Sequence, residues 1–257
     1  MQASIQVRQS ADVQYLLRIG DTALILGQRI SEWTGHAPVL EEDIALANIA
    51  LDLVGQATAL LELAAVREGR GRTADDLAFF RDAREFRNLQ LVELPRGDFA
   101  FTIVRQFLFD VHDVVLLEEL VRSADAELAA LASKLLKEAR YHVRHSGEWV
   151  LKLGDGTEES HRRAQEALDA LWRFTGEPFL ADDLDRQLAA AGLAPDPPAL
   201  RARWEEQVTR VVNASTLTLP DDSSVARGGR QGLHTEHLGL MLAEMQSVSR
   251  AHPGAEW

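Results

Sequence analysis

The chain has 257 residues, a formal net charge of −13 and no cysteine. That length can bury a substantial core, and so acidic a balance argues against nucleic acid as the main partner, because phosphate binding needs a basic surface. The missing cysteines exclude disulfides, thiolate catalysis and cysteine-ligated zinc.

Ala, Leu, Glu and Arg dominate, and strand-like alternation is nearly absent. An all-α fold is expected, organised as one domain over residues 1–257 with a loose arm over residues 1–11. No apolar run reads as long enough to span a membrane, and the N-terminal MQASIQVRQSAD lacks a signal-peptide core. A cytoplasmic protein without a membrane partner is the expectation.

A first helix is predicted from about Asp12 to Trp33, stopped by GHAP at Gly35 to Pro38. The second, Glu41 to Val66, follows almost at once, and EGRGRT at Glu68 to Thr73 breaks the chain. A shorter helix is predicted over Ala74 to Gln90, then a turn at Leu94 to Asp98. A third long helix runs from about Asp98 to Arg122. Ser123 and Asp125 offer a cap for a fourth, ending near Leu153 before Gly154 to Gly156. Four helices of this length read as a bundle, paired first with second and third with fourth. Shorter helices follow: one ending near Gly176, one in DDLDRQLAAAGL, and one from APDPPAL to about Val212. NASTLTLPDDSS reads as an extended crossover, Arg227 to Gly232 as a mobile basic loop, and a last helix starts near Thr235.

The second helix is apolar on nearly every side, so it reads as buried. Asn48, Asp52 and Gln56, spaced i, i+4, i+8, form a polar line along it, and buried polar groups need partners. Di-iron bundles have this layout, with Glu and Glu-x-x-His side chains on facing helices. Here the line offers two neutral amides and a single carboxylate. On the third helix Gln106, Asp110 and Asp113 flank an apolar stripe, while His112 is expected to point elsewhere. A structural salt bridge or hydrogen-bond network suits two buried carboxylates better than free ligands do. On the fourth helix Glu138, His142 and His145 share one side. A Glu-x-x-His motif ending at His142 would need Glu at position 139, which is Ala139. A hydrogen-bonded polar core is therefore favoured over a metal centre.

HTEH, His234 to His237, is not a zinc-protease motif and reads as a helix start, with Thr235 as N-cap and acid in the first turn. No G-x-G-x-x-G, P-loop or G-x-S-x-G motif is present. Trp33, Trp172, Trp204 and Trp257 suit core or interface positions better than a ligand site.

LRIGDTALILGQRISEWTGHAP, LANIALDLVGQA, KEARYHVRHSGEW, LWRFTGEPF and above all GLHTEHLGLMLAEMQ resemble the C subunits of the phenylacetyl-CoA epoxidases, the PaaC family, from about Tyr15 to Trp257. The resemblance implies a ferritin-like four-helix bundle with additional C-terminal helices. It implies a place in a multicomponent monooxygenase of aerobic phenylacetate catabolism, which epoxidises the aromatic ring of phenylacetyl-CoA with oxygen and electrons from NADPH. In that system a related bundle, the catalytic A subunit, holds the di-iron site. A separate reductase holds flavin and an iron–sulfur cluster. The C subunit pairs with the catalytic one as a non-catalytic structural partner, and no cofactor is expected in this chain.

Matching the related catalytic bundle's ligands onto DLVGQ places Leu53 at a glutamate position and Gln56 at a histidine position. Matching the second motif onto KEARYH places Ala139 at the glutamate and His142 at the histidine. These four are expected to be degenerate di-iron positions, with Asn48, Asp52, Asp110, Asp113 and Glu138 as a remnant polar core and no catalytic residue. The alternative is an independent di-iron oxygenase or oxidase, which needs Asp52, Asp110 or Asp113, Glu138 and His142 to converge as ligands.

Overall fold

The computed structural model describes residues 4–7, 10–221 and 224–255. The described residues form ten α-helices and short 3-10 turns, with no strand, which is the all-α fold the sequence predicts. The chain divides into two compact units, residues 1–95 with 227–257, and residues 96–226.

The first unit is built on α1 (Ala11–Ser31) and α2 (Leu40–Glu68), which pack along each other. Two glycines of α1 permit a close approach. A Cβ on Gly20 would stand 3.2 Å from Leu61, and one on Gly27 would stand 3.1 Å from Val54. The inward side of α2 is buried at Leu46, Ile49, Leu53, Leu60 and Ala64. Gly69, in the left-handed conformation that glycine adopts freely, ends α2. By length and composition alone α2 would suffice for a membrane span, which corrects the expectation that no run reaches that measure.

The helix predicted over 74–90 is much shorter. Thr73 and Asp76 form a capping box that starts α3 (Ala74–Phe79), and the chain then leaves the helix for 3-10 turns at Ala83–Glu85 and Gln90–Glu93. The cause is long-range. Arg81 is fully buried and donates through Nε to the Leu77 carbonyl at 2.5 Å and through Nη1 to Asp21 Oδ2 at 3.0 Å, with a second contact from Nη2 to Asp21 Oδ1. The backbone N–H of Arg87 also donates to Asp21 Oδ2, at 2.8 Å. Meeting one buried carboxylate outweighs continuing the helix.

The same unit holds α9 (Glu236–Met245) and α10 (Ser247–Ala251). The segment Arg227 to Gly232 is an anchored turn rather than a loose loop. Gln90 Nε2 donates to the carbonyls of Arg227 and Leu233, and Gly232 (φ 78°) lies so close to the Arg84 carbonyl that a Cβ there would stand 2.4 Å from its oxygen.

The second unit is built on α4 (Phe99–Leu120) and α5 (Ala126–Gly154), with α6 (Glu158–Trp172) and α8 (Pro197–Ala214) packed on them and α7 (Asp183–Ala190) between α6 and α8 in sequence. Each start is signalled locally: Asp98 and Asp125 accept from Phe101 and Leu128 N–H, Thr157 and Asp182 form capping boxes, and proline opens α8. The indole N–H of buried Trp204 donates to the Leu108 carbonyl at 2.9 Å, and its ring lies 5.8 Å from that of Trp172 and 5.4 Å from that of Phe179. Trp33 is also buried, and Trp257 lies outside the described residues. The long helices therefore pair as predicted, α1 with α2 and α4 with α5.

Candidate functional site

The polar residues singled out on the third and fourth long helices meet within the second unit. α4 is buried along almost its whole length, and Thr102, Gln106, Asp110 and Asp113 descend one side of it. Asp110 is the centre. Its Oδ1 accepts from Gln106 Nε2 at 2.6 Å, one helical turn away, and its Oδ2 lies 2.7 Å from Ser146 Oγ on α5. Ser146 Oγ is also 3.0 Å from the carbonyl oxygen of His142, its own i−4 neighbour.

The electrostatics follow from burial. Removal from water holds Asp110 well above the usual carboxylate range, against the lowering effect of the Ser146 and Gln106 hydrogen bonds. Burial first, and the charge of Glu138 second, raise Asp113 to about 7. Among the described residues no cation offsets the burial of either group, so the salt-bridge option considered from the sequence gives way to a hydrogen-bonded carboxyl group at Asp110. His142 and Ala139 are buried on α5, while Glu138 and His145 are half-buried. His112 turns away from this cluster into an aromatic group, 5.7 Å from the Phe179 ring and 6.5 Å from that of Phe109.

In the first unit Leu53 and Gln56 are buried, Asp52 is half-buried and Asn48 is exposed. Asn48 is thus removed from any buried polar core. Residues four apart on an α-helix drift by about 40°, so the i, i+4, i+8 series turns about 80° from one end to the other. The line begins on the outside at Asn48 and reaches the interior only at Gln56.

These residues do not suit a di-iron centre. Leu53 and Ala139 have no donor atom, Gln56 offers only a neutral amide, and both Asp110 oxygens are taken by Gln106 and Ser146. Among the described residues no group of three or more His, Asp or Glu is arranged to hold a metal ion.

A second polar cluster, in the first unit, was not legible as such. Glu93 is fully buried. Its Oε1 lies 2.5 Å from His234 Nδ1 and accepts from Asn88 Nδ2 at 2.9 Å, and its Oε2 accepts from both the N–H and the hydroxyl of Thr235 at 2.7 Å. His234 Nε2 faces the Phe86 carbonyl at 3.1 Å, and Arg29 donates twice to the Glu93 carbonyl. Thr235 stands at the N-cap position of α9 as expected, but its hydroxyl goes to Glu93 instead of capping the helix. His237 Nε2 lies 3.7 Å from Glu236, so the two histidines of HTEH have separate partners. The sequence signal for this clasp is a lone Glu93 between Val92 and Leu94, and for Asp21 a single acid within LRIGDTALIL. Ser146, also missed, lies four residues after His142 on the same helical face.

The phenylacetic acid catabolic protein family model matches residues 1–257. The chain is 52% identical over 243 residues to the C subunit of 1,2-phenylacetyl-CoA epoxidase from Escherichia coli (strain K12), covering 95% of this chain and 98% of that protein. A buried, hydrogen-bonded polar core in an all-helical chain thus comes with whole-length similarity, and the chain belongs to the phenylacetic acid catabolic protein family.

Proposed function

We propose that this chain is the C subunit of a phenylacetyl-CoA epoxidase, a non-catalytic partner that pairs with and supports the di-iron catalytic subunit. The observation that carries this reading is the chemistry of four buried positions. In this reading Leu53 and Gln56 on α2, and Ala139 and His142 on α5, match the Glu-x-x-His positions of the related catalytic bundle; all four are buried, none is a carboxylate, and His142 is the one imidazole among them. The 52% identity to a protein of that name, across nearly all of both chains, supports the assignment to this system and to this component of it.

What this chain contributes is then shape and rigidity. A bundle relieved of metal binding can fill its core with a neutral hydrogen-bond network and apolar packing, and can restrain the helices of a catalytic bundle of the same family. The flavin and iron–sulfur chemistry of electron delivery belongs to the reductase in this reading.

Reconstitution tests it. Phenylacetyl-CoA, NADPH and oxygen are supplied to the reductase together with the catalytic subunit, with this chain, or with both. Epoxide is expected only where the catalytic subunit is present, with a higher and more durable rate when this chain is added. Turnover by this chain and reductase in the absence of the catalytic subunit would contradict the proposal.

A further inference from the structure

The second unit holds a cleft of about 220 Å³ with aromatic walls. Phe179 and Trp204 are buried in it and Trp172 is half-buried, with the Trp204 ring 5.8 Å from that of Trp172 and 5.4 Å from that of Phe179. The Trp204 indole N–H is already spent on the Leu108 carbonyl, and the Thr175 hydroxyl on the Trp172 carbonyl at 2.7 Å. The deep side of the cleft is therefore apolar. On the other side, a Cβ on Gly176 would stand 2.8 Å from Val225 Cγ2, and the Ala226 N–H donates to the Arg173 carbonyl at 2.8 Å. Only a residue without a side chain at position 176 lets Val225 lie this close, and the Ala226 hydrogen bond holds it there as a wall. Roughly 150 Å³ is enough for benzene, so the cleft has room for one aromatic ring with a short arm.

The rim selects the arm. Arg201 and Glu205, one turn apart on α8, border the cleft with side chains 59% and 48% exposed. Glu205 Oε1 accepts from Arg201 Nε at 2.6 Å, and among the described residues nothing engages the two Nη groups. The Nη1–Nη2 edge of a guanidinium matches the two oxygens of a carboxylate. A ligand carboxylate can take that edge while the Glu205 contact stays in place. A ligand ammonium group would have to compete with Arg201 for Glu205.

We propose that this cleft binds a small aromatic carboxylate, with its ring against Trp172, Phe179 and Trp204 and its carboxylate on the Nη edge of Arg201. Ring-on-ring contact in offset or edge-to-face geometry supplies the attraction beyond simple burial, and the guanidinium fixes the orientation. Such a site is independent of the pairing given under Proposed function.

Titration calorimetry of the full-length chain tests this, with phenylacetate, 2-phenylethylamine and acetate as probes. Phenylacetate is expected to bind saturably, and the amine, which keeps the ring, and acetate, which keeps the carboxylate, at least tenfold more weakly. Arg201→Gln is expected to weaken phenylacetate binding at least tenfold. Val225→Trp, which fills the cleft from its outer wall, is expected to abolish it. Circular dichroism confirms that both variants fold. No saturable binding of phenylacetate to the wild-type chain would overturn the site. Tighter binding of the amine would overturn the ligand class, and phenylacetate binding unchanged in both variants would overturn the location.

Discussion

Ser146 Oγ lies 2.7 Å from Asp110 Oδ2 and 3.0 Å from the His142 carbonyl oxygen, and a hydroxyl has one proton to give. If Asp110 were ionised, one of these contacts would be between two acceptors. A neutral Asp110 resolves the conflict: its own O–H donates to Ser146, Ser146 donates to the His142 carbonyl, and Gln106 donates to Asp110 Oδ1. The raised proton affinity of this buried carboxyl group agrees.

Asp110→Asn should therefore be well tolerated, because its amide donates to Ser146 and accepts from Gln106 as the neutral acid does. A change within about 1 kcal/mol is expected, against about 1–3 kcal/mol lost in Ser146→Ala, which leaves a buried acid without an acceptor. Urea unfolding at pH 7 measures both. A loss of several kcal/mol in Asp110→Asn would mean that the charged form is needed.

Asp113 sets a pH dependence. Its folded value, raised to about 7, exceeds the ordinary carboxylate value of 3.8, so the folded state holds this proton more tightly than the unfolded chain. Its contribution to stability is complete below the ordinary value and is lost as pH rises to about 7. Asp113→Asn is expected to flatten the decline of unfolding free energy between about pH 4 and pH 7. Equal slopes for variant and wild type in that window would contradict it.

The Asp21–Arg81 pair, fully buried, ties α1 to the 80–87 segment. Asp21→Ala strands a guanidinium in the core, and a loss of about 3–5 kcal/mol is expected in chemical denaturation. A loss below about 1 kcal/mol would show that this network does not hold the segment.

How much of this was legible depends on distance along the chain. The four long helices, their pairing, the helix start at Asp98 and the cap at Asp125 come from local patterns, and the structure has them. The break after Phe79 could not be read, because it is imposed by Asp21, 60 residues before Arg81. Glu93 meets His234 and Thr235 across more than 140 residues, so HTEH looked like a helix start and no more. At the candidate site, α4 supplies Gln106, Asp110 and Asp113 along one side, but Ser146 on α5 carries no charge to announce it. Asn48 was misplaced by treating an i+4 series as straight.

Glu93→Ala removes the acceptor for Asn88, His234 and both donors of Thr235. Amide hydrogen exchange over residues 233–245 should rise by at least tenfold, with α4 and α5 little changed. Unchanged protection there would mean that apolar packing alone holds α9.

The central claim is that this chain supports a di-iron site without owning one, and its metal content tests it most directly. The purified chain, alone and co-expressed with the catalytic subunit in iron-replete medium, is analysed for bound iron. The account expects iron near zero for the chain alone and about two irons per pair. Two irons held by this chain alone would contradict it.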